Sequence, residues 1–141
     1  TDFTYVDNIV DACLLAEAAL PGPAAGEAYF ITNGEPTDFW AFVADLVEGL
    51  GYSAPTRAVP GPLAYAAAWG AEMADTLRGG TLDNASGLSR FTVRYLCTHH
   101  YYRVDKAGKD LGYRPAVSVS EGIERTVSWL ADRGYAAQAA S

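Results

Sequence analysis

"YYRVDKAGKDLGYRPAVSVSEGIERTVSWL", Tyr101 to Leu130, is the stretch whose reading decides the fold. It opens with Tyr101, Tyr102 and Val104, aromatic and β-branched residues that favour an extended strand. Asp105 follows as a helix opener, its short carboxylate able to accept from orphan backbone N–H groups. Gly112 is placed to close that helix, because glycine takes the left-handed conformation at little cost. Ser118 and Glu121 then stand three apart as a capping box, each end satisfying a backbone donor of the other. The final helix is predicted to run to about Arg133, with Ile123, Val127 and Leu130 along one face.

Within this stretch Tyr102 and Lys106 spell Tyr-x-x-x-Lys, the proton-transfer spacing of short-chain dehydrogenases. That chemistry needs both residues on one helix, so that the ammonium lies beside the phenol and lowers its pKa. Here a strand-to-helix boundary separates them. The spacing is therefore a coincidence of letters, with Tyr102 on a strand face and Lys106 in an exposed first turn. No catalytic residue is assigned to this chain.

Working outward, "TDFTYVDN" alternates like a strand, and Asp7 reads as the cap of a helix reaching about Ala19. Ile9, Val10, Cys13, Leu14 and Ala16 are expected to face inward. "PGPAAG", Pro21 to Gly26, breaks that helix, and "AYFIT" reads as a short buried strand turned by Asn33-Gly34. Thr37 is the expected cap of a second helix carrying Phe39, Trp40, Phe42, Val43, Leu46, Val47 and Leu50, and Gly51 ends it. "TRAVP" reads as a brief strand, and a third helix spans roughly Leu63 to Leu77, with Trp69 and Met73 four apart. "GGTLDNASGLS", Gly79 to Ser89, reads as a mobile loop. The "TVRYLCTHHYYRV" stretch that follows is expected to be strand at least at its end. The predicted fold class is α/β and mostly helical, with three or four short strands and no complete Rossmann sheet. Such strands need each other or a partner sheet to cover their edges. The expected organisation is a single domain over residues 1–141.

Composition excludes several functions. Half of the 141 residues are apolar, which suits a packed domain. A net charge of −7, with Arg57, Arg78, Arg90, Arg94 and Arg103 scattered singly, argues against nucleic acid, which needs clustered cations. Cys13 and Cys97 lie far apart with no secretory segment, so buried or partly buried thiols in a reducing, cytoplasmic setting are expected. Asn84-Ala85-Ser86 spells a glycosylation acceptor that has no meaning in that setting. No apolar run reaches the roughly twenty residues of a membrane span. His99 and His100 are adjacent and would point to opposite faces of a strand, so they make a poor metal site.

The quoted stretch, through Lys106, Ala107, Leu111, Gly112, Tyr113, Pro115, Glu121, Gly122, Thr126 and Trp129, resembles the C-terminal segment of the extended short-chain dehydrogenases. "DFTYVDNIVDACLLA" and "GEAYFITNGEPTDFWAFVADLVEGLGY" are similar to the 3β-hydroxysteroid dehydrogenase/isomerase branch, which includes the sterol-4α-carboxylate 3-dehydrogenases. The likeness covers nearly the whole chain, yet the sequence holds no glycine-rich turn of the kind that grips a dinucleotide in that family. The resemblance therefore implies the substrate-binding half of such an enzyme. The glycine-rich turn and the functional Tyr-x-x-x-Lys would lie on an N-terminal nucleotide-binding half, and a first residue of Thr1 rather than Met agrees with that expectation.

On this view the intact enzyme uses NAD or NADP, and this chain alone binds neither. It acts on a secondary alcohol or ketone, steroid-like or otherwise hydrophobic, and a homodimer is one option for its assembly. An apolar cleft with few polar anchors would suit that substrate. The candidate substrate-binding residues are Tyr5, Asn8, Arg94, Tyr95, His99 and Tyr101. Trp40, Trp69 and Phe91 are further lining candidates, Trp40 reading better as core. Arg94 has two readings, the phosphate-binding arginine of related sugar-nucleotide epimerases or a surface ion pair, and Asn8 also reads as an extension of the Asp7 cap. The alternative function is a free-standing module or a cofactor-independent isomerase or cyclase, its proton transfer resting on His99, His100, Asp7 or Tyr102.

Overall fold

The computed structural model describes residues 1–80 and 89–137. Six helices follow in chain order: α1 (Val6–Ala18), α2 (Phe39–Gly49), α3 (Gly61–Leu77), α4 (Arg90–Leu96), α5 (Asp105–Leu111) and α6 (Val119–Ala131). The chain divides into two compact units, Thr1–Pro55 with His100–Ser141, and Thr56–His99.

No β-strand forms among the described residues, which corrects the expected three or four. A strand needs a repeating ladder of partner bonds, and the extended segments here receive single ones. Asp2 N–H donates to His100 O at 3.0 Å, Asn33 N–H to Phe3 O at 3.3 Å and Thr37 N–H to Thr1 O at 2.8 Å. Other donors in these segments turn to side chains, Tyr102 N–H to Asp2 Oδ2 and Tyr5 N–H to Asn33 Oδ1. The extended conformation is present without a sheet.

The larger unit gathers its core around Ala12, Ala107, Leu111 and Tyr113. Alanines at 12 and 107 let α1 and α5 lie close, while Gly112 ends α5 at φ 72° as its residue type requires. α2 packs on α6, and the glycine at 49 makes this possible. A Cβ there would lie 2.7 Å from a Val127 methyl. The capping box is half realised: Ser118 Oγ accepts from Glu121 N–H at 3.2 Å, while the Glu121 carboxylate turns to Arg125 at 2.6 Å. Three other expected caps shift: Thr37 to Asp38, Asp7 to Tyr5 and Asp105 to Val104, the last two making no side-chain cap bond and the Asp105 carboxylate lying on Arg103. Asp38, not Thr37, accepts from the Trp40 and Ala41 amides, both at 2.9 Å, and Asp7 sits inside the first turn of α1 with its carboxylate on Arg125.

The inward face of α1 also differs from the expectation. Asn8 and Ala12 are buried and Leu15 and Ala16 half-buried, whereas Ile9, Val10, Cys13 and Leu14 are exposed. The helix is apolar on two sides, and periodicity alone does not say which side meets this chain's core. Cys13 and Cys97 are both exposed free thiols, against the expectation of burial.

In the second unit α3 packs on α4 around Ala68 and Val93. The Glu72 carboxylate accepts from both Arg90 N–H (2.7 Å) and Arg90 Nε (2.6 Å), tying the start of α4 to α3. That pairing holds the guanidinium protonated and pulls the Glu72 carboxyl below its usual range, through the Arg90 backbone bond first. Residues 90–96 form a helix capped by Ser89, and the strand expected at least at the end of the stretch from Thr92 to Val104 does not form. Most of the expected mobile loop, residues 81–88, and the Asn84 acceptor lie outside the described residues. No described helix is long and apolar enough to cross a membrane.

Candidate functional site

Asn8 anchors the site from below. It is fully buried, and its amide uses every hydrogen-bonding position. Nδ2 donates to Asn33 Oδ1 and to Val117 O, both at 2.8 Å, while Oδ1 accepts from the Ala116 and Val117 amides, both at 3.0 Å. Asn33 completes the staple by donating through Nδ2 to Val117 O at 2.8 Å and accepting from Tyr5 N–H at 3.1 Å. This network fixes the start of α1, the 31–33 segment and the approach to α6 against one another. Tyr113, whose hydroxyl donates to Thr32 O at 2.9 Å, backs the same segment, and burial pushes its pKa up.

Above the staple lies a recess of about 230 Å³. Phe3, Val6, Phe42 and Val119 give it apolar walls, with the Phe3 and Phe42 rings stacked at 3.7 Å between centroids. Tyr5 and Gly122 meet at one side, where a Cβ on residue 122 would come 3.0 Å from the Tyr5 ring. The polar lining is turned away: Thr4 Oγ1 donates to Ile31 O and Thr126 Oγ1 to Gly122 O. No charged side chain lines it. Arg125 sits nearby, 5.6 Å from the centre of the Tyr5 ring, paired with Asp7 and Glu121.

Of the predicted site residues, Tyr5 lines the recess and Asn8 lies beneath it as a structural staple with nothing left to offer a ligand. Tyr101 is exposed in the larger unit. Arg94, Tyr95 and His99 fall together in the second unit, the first two on α4 and the third just past it, and the Tyr95 ring stacks on Phe91 at 6.0 Å. Trp40 is 54% exposed, which corrects its reading as core, and Trp69 is likewise exposed on α3. Sequence reasoning missed Phe3, Asn33, Phe42, Gly122 and Thr126 as lining. Phe42 was visible as part of the apolar face of α2, and Asn33 was read only for its turn.

Tyr102 and Lys106 have separate roles. The Tyr102 ring stacks on Phe30 at 4.5 Å, outside α5. The Lys106 ammonium donates to Glu27 Oε2 at 2.8 Å and Ala28 O at 3.2 Å and lies 3.8 Å over the Tyr29 ring. The Glu27 hydrogen bond holds this ammonium protonated and lowers the Glu27 carboxyl in turn.

Among the described residues three helix starts have their first amides taken by side chains, while α1, α3 and α5 carry no side-chain cap. Pyrophosphate is gripped by free amides at a helix N-terminus. Here the first amides of α2 are taken by Asp38, those of α4 by Ser89 and Glu72, and those of α6 by Ser118 and the Glu35 carboxylate. No step of hydride chemistry is assigned to them. Among the described residues no group of three or more His, Cys, Asp and Glu side chains is placed to hold a metal ion.

Residues 1–60 match the model of the 3-beta hydroxysteroid dehydrogenase/isomerase family, and the relatives below carry the likeness over most of the chain. The chain is similar to members of that family over most of its length. Its relatives include the Arabidopsis thaliana 3beta-hydroxysteroid-dehydrogenase/decarboxylase isoform 1, 42% identical over 89% of this chain and 30% of the relative. The mouse sterol-4-alpha-carboxylate 3-dehydrogenase, decarboxylating, is 38% identical over 89% of this chain and 35% of its own length. Short-chain dehydrogenase/reductase family 42E member 1 of Danio rerio is 38% identical over 95% and 35% respectively. The chain thus spans about a third of the length of these relatives. No solved structure gives a significant match.

Proposed function

We propose that this chain is the C-terminal, substrate-side part of an NAD(P)-dependent oxidoreductase that interconverts a secondary alcohol and a ketone on a steroid-like or other hydrophobic substrate. The observation that carries the reading is its identity of 34–42% to sterol and steroid dehydrogenases over 89% or more of its length. The cofactor grip and the proton-transfer Tyr and Lys belong to a nucleotide-binding part, the partner of this one. Two features support such a partner. α1 keeps Val6, Ile9, Val10, Cys13 and Leu14 exposed opposite its buried face, and a helix with a second apolar side belongs between two layers. The extended segments also carry backbone groups without a ladder, which a neighbouring sheet would satisfy.

The recess alone is below the range of roughly 300–1,000 Å³ usual for drug-sized ligands. A sterol would need further walls, so selection of the substrate is shared with the partner. The test is to express the whole reading frame that contains this chain and follow reduction of NAD and of NADP with 3β-hydroxysteroids. Turnover that is lost when Val10 is changed to Glu, with the 141-residue chain carrying that change still folded, supports the reading. A whole protein that reduces neither cofactor with any hydrophobic secondary alcohol overturns it.

A further inference from the structure

Along α3, Leu63, Ala66, Gly70, Met73 and Leu77 recur three and four apart with Trp69 beside them, so this helix carries a second apolar side. Its first side, through Ala68 and Glu72, is the one packed on α4. The second side is bare. Leu77 is 83% exposed and Leu63 63%, Trp69 and Met73 are about half-exposed, and a Cβ added at Gly70 would meet nothing within 4 Å. No charged residue occurs from 58 to 71. The two acids of α3, Glu72 and Asp75, are half-buried on its packed side, Glu72 already bound to Arg90. A contiguous exposed apolar patch of this kind marks an interaction surface.

Charge decides what covers it. Residues 56–99 hold four arginines and three acids, whereas the rest of the chain holds six cations and fourteen acids. Arg57 precedes α3 and Arg78 stands at its C-terminal end; both are exposed, and neither forms an ion pair among the described residues. A helix that lies in a membrane surface has this pattern: apolar side chains enter the acyl boundary, tryptophan sits at the interface and guanidiniums reach the headgroups. The second apolar side of α1 is different, because the exposed Asp7, Asp11 and Glu17 border it and anionic headgroups would repel them.

We infer that the outer side of α3 lies in the plane of an anionic lipid bilayer. The helix has 17 residues, about 26 Å at ~1.5 Å per residue, and is not long and apolar enough to cross. Its apolar side supplies the attachment, and Arg57 and Arg78 select the headgroup charge. This holds whatever reaction the whole enzyme performs.

Vesicles of phosphatidylcholine, alone or mixed with phosphatidylserine, are the probe, with co-sedimentation of the 141-residue chain as the readout. Binding is expected to the mixed vesicles, weakening as salt is raised and released by alkaline carbonate. The double change Leu63→Glu and Leu77→Glu is expected to weaken it at least tenfold, with circular dichroism unchanged because both residues are exposed. Arg57→Gln and Arg78→Gln are each expected to weaken binding to the mixed vesicles by about fivefold. Absence of binding, equal binding to both vesicles, resistance to carbonate, or indifference to the leucine or arginine changes would each overturn the inference. Two further results would overturn it by revealing another occupant. One is lipid-free dimerisation that the leucine changes abolish, which gives the face to a second copy. The other is loss of vesicle binding in the whole reading frame, which gives it to the nucleotide-binding part. If the leucine variant fails to fold, brominated phosphatidylcholine decides on the original chain: quenching of tryptophan fluorescence that Trp69→Phe removes supports the inference, and quenching that persists overturns it.

Discussion

Replacing Asn8 by Ala tests the staple on which the site is built. In the folded chain Asn8 makes four hydrogen bonds, and its removal affects the partners unequally. Val117 O keeps the Asn33 amide and Asn33 Oδ1 keeps Tyr5 N–H. The Ala116 amide belongs to an exposed residue and can take water, but the Val117 amide is on a residue only 5% exposed and is left orphaned. One buried unsatisfied donor costs about 1–3 kcal/mol. Two further lost bonds of ordinary net worth add about 1 kcal/mol each, giving a destabilisation on the order of 3–5 kcal/mol. Urea denaturation of the two chains, compared at unchanged m-value, measures it. Asn8→Asp sharpens the test, because it keeps both accepted bonds but sets an oxygen against Asn33 Oδ1 and Val117 O. Its carboxyl should be protonated in the fold at a higher pH than in the unfolded chain. The folded state then binds more protons, so stability should be greater in acid and fall as pH rises through the carboxylate range. A loss below about 1 kcal/mol for Asn8→Ala, within the worth of one ordinary bond, would refute the argument.

Gly49→Ala should destabilise by about 1–3 kcal/mol through collision with Val127, less up to about 1 kcal/mol of gained helix propensity. The double change with Val127→Ala should show a non-additive recovery in thermal melts, locating the contact. Lys106→Gln removes the bond that depresses the Glu27 carboxyl, so its titration midpoint, held below the ordinary carboxyl range in the original chain, should move upward by carboxyl NMR. The sign for stability is that of a lowered acid: the contribution is present above the ordinary range and lost as pH falls through the folded value. Tyr102→Phe should leave hydride transfer by the whole enzyme nearly unchanged, and a loss of about 10²–10⁴ in turnover would restore the rejected proton-transfer pair.

The helices were legible because their ends carry local chemistry. Gly112, Ser118 and Gly51 act within a few residues of themselves, and the structure has the end of α5, the start of α6 and the end of α2 where they stand, while Asp105 enters α5 with its carboxylate on Arg103 rather than on a backbone amide. The strands were misread because strand propensity describes side chains that suit a pleated surface, while a sheet also needs neighbours to bond with. "AYFIT" has the residues and receives few of the bonds. "RFTVRYL" is helical despite its β-branched and aromatic residues, because the Ser89 cap and the Glu72 carboxylate hold its first turn, and the second of these depends on α3 eighteen residues earlier. At the site, Tyr5 lines the recess, and the sequence offered its ring only as one aromatic among several. That the Asn8 amide is spent within the fold was not legible, because it depends on Val117, 109 positions away.

That separation has a bearing on how the polypeptide matures. Residues 56–99 are contiguous and their two helices touch through nearby sequence, so this portion can acquire its contacts soon after synthesis. The other portion is split around it, and the amides of residues 8 and 33 lack the backbone carbonyl they share until Val117 has emerged from the ribosome. Nascent chains halted before Val117 are therefore open to proteolysis within residues 1–55, and chains carried past it close that window in a single late event.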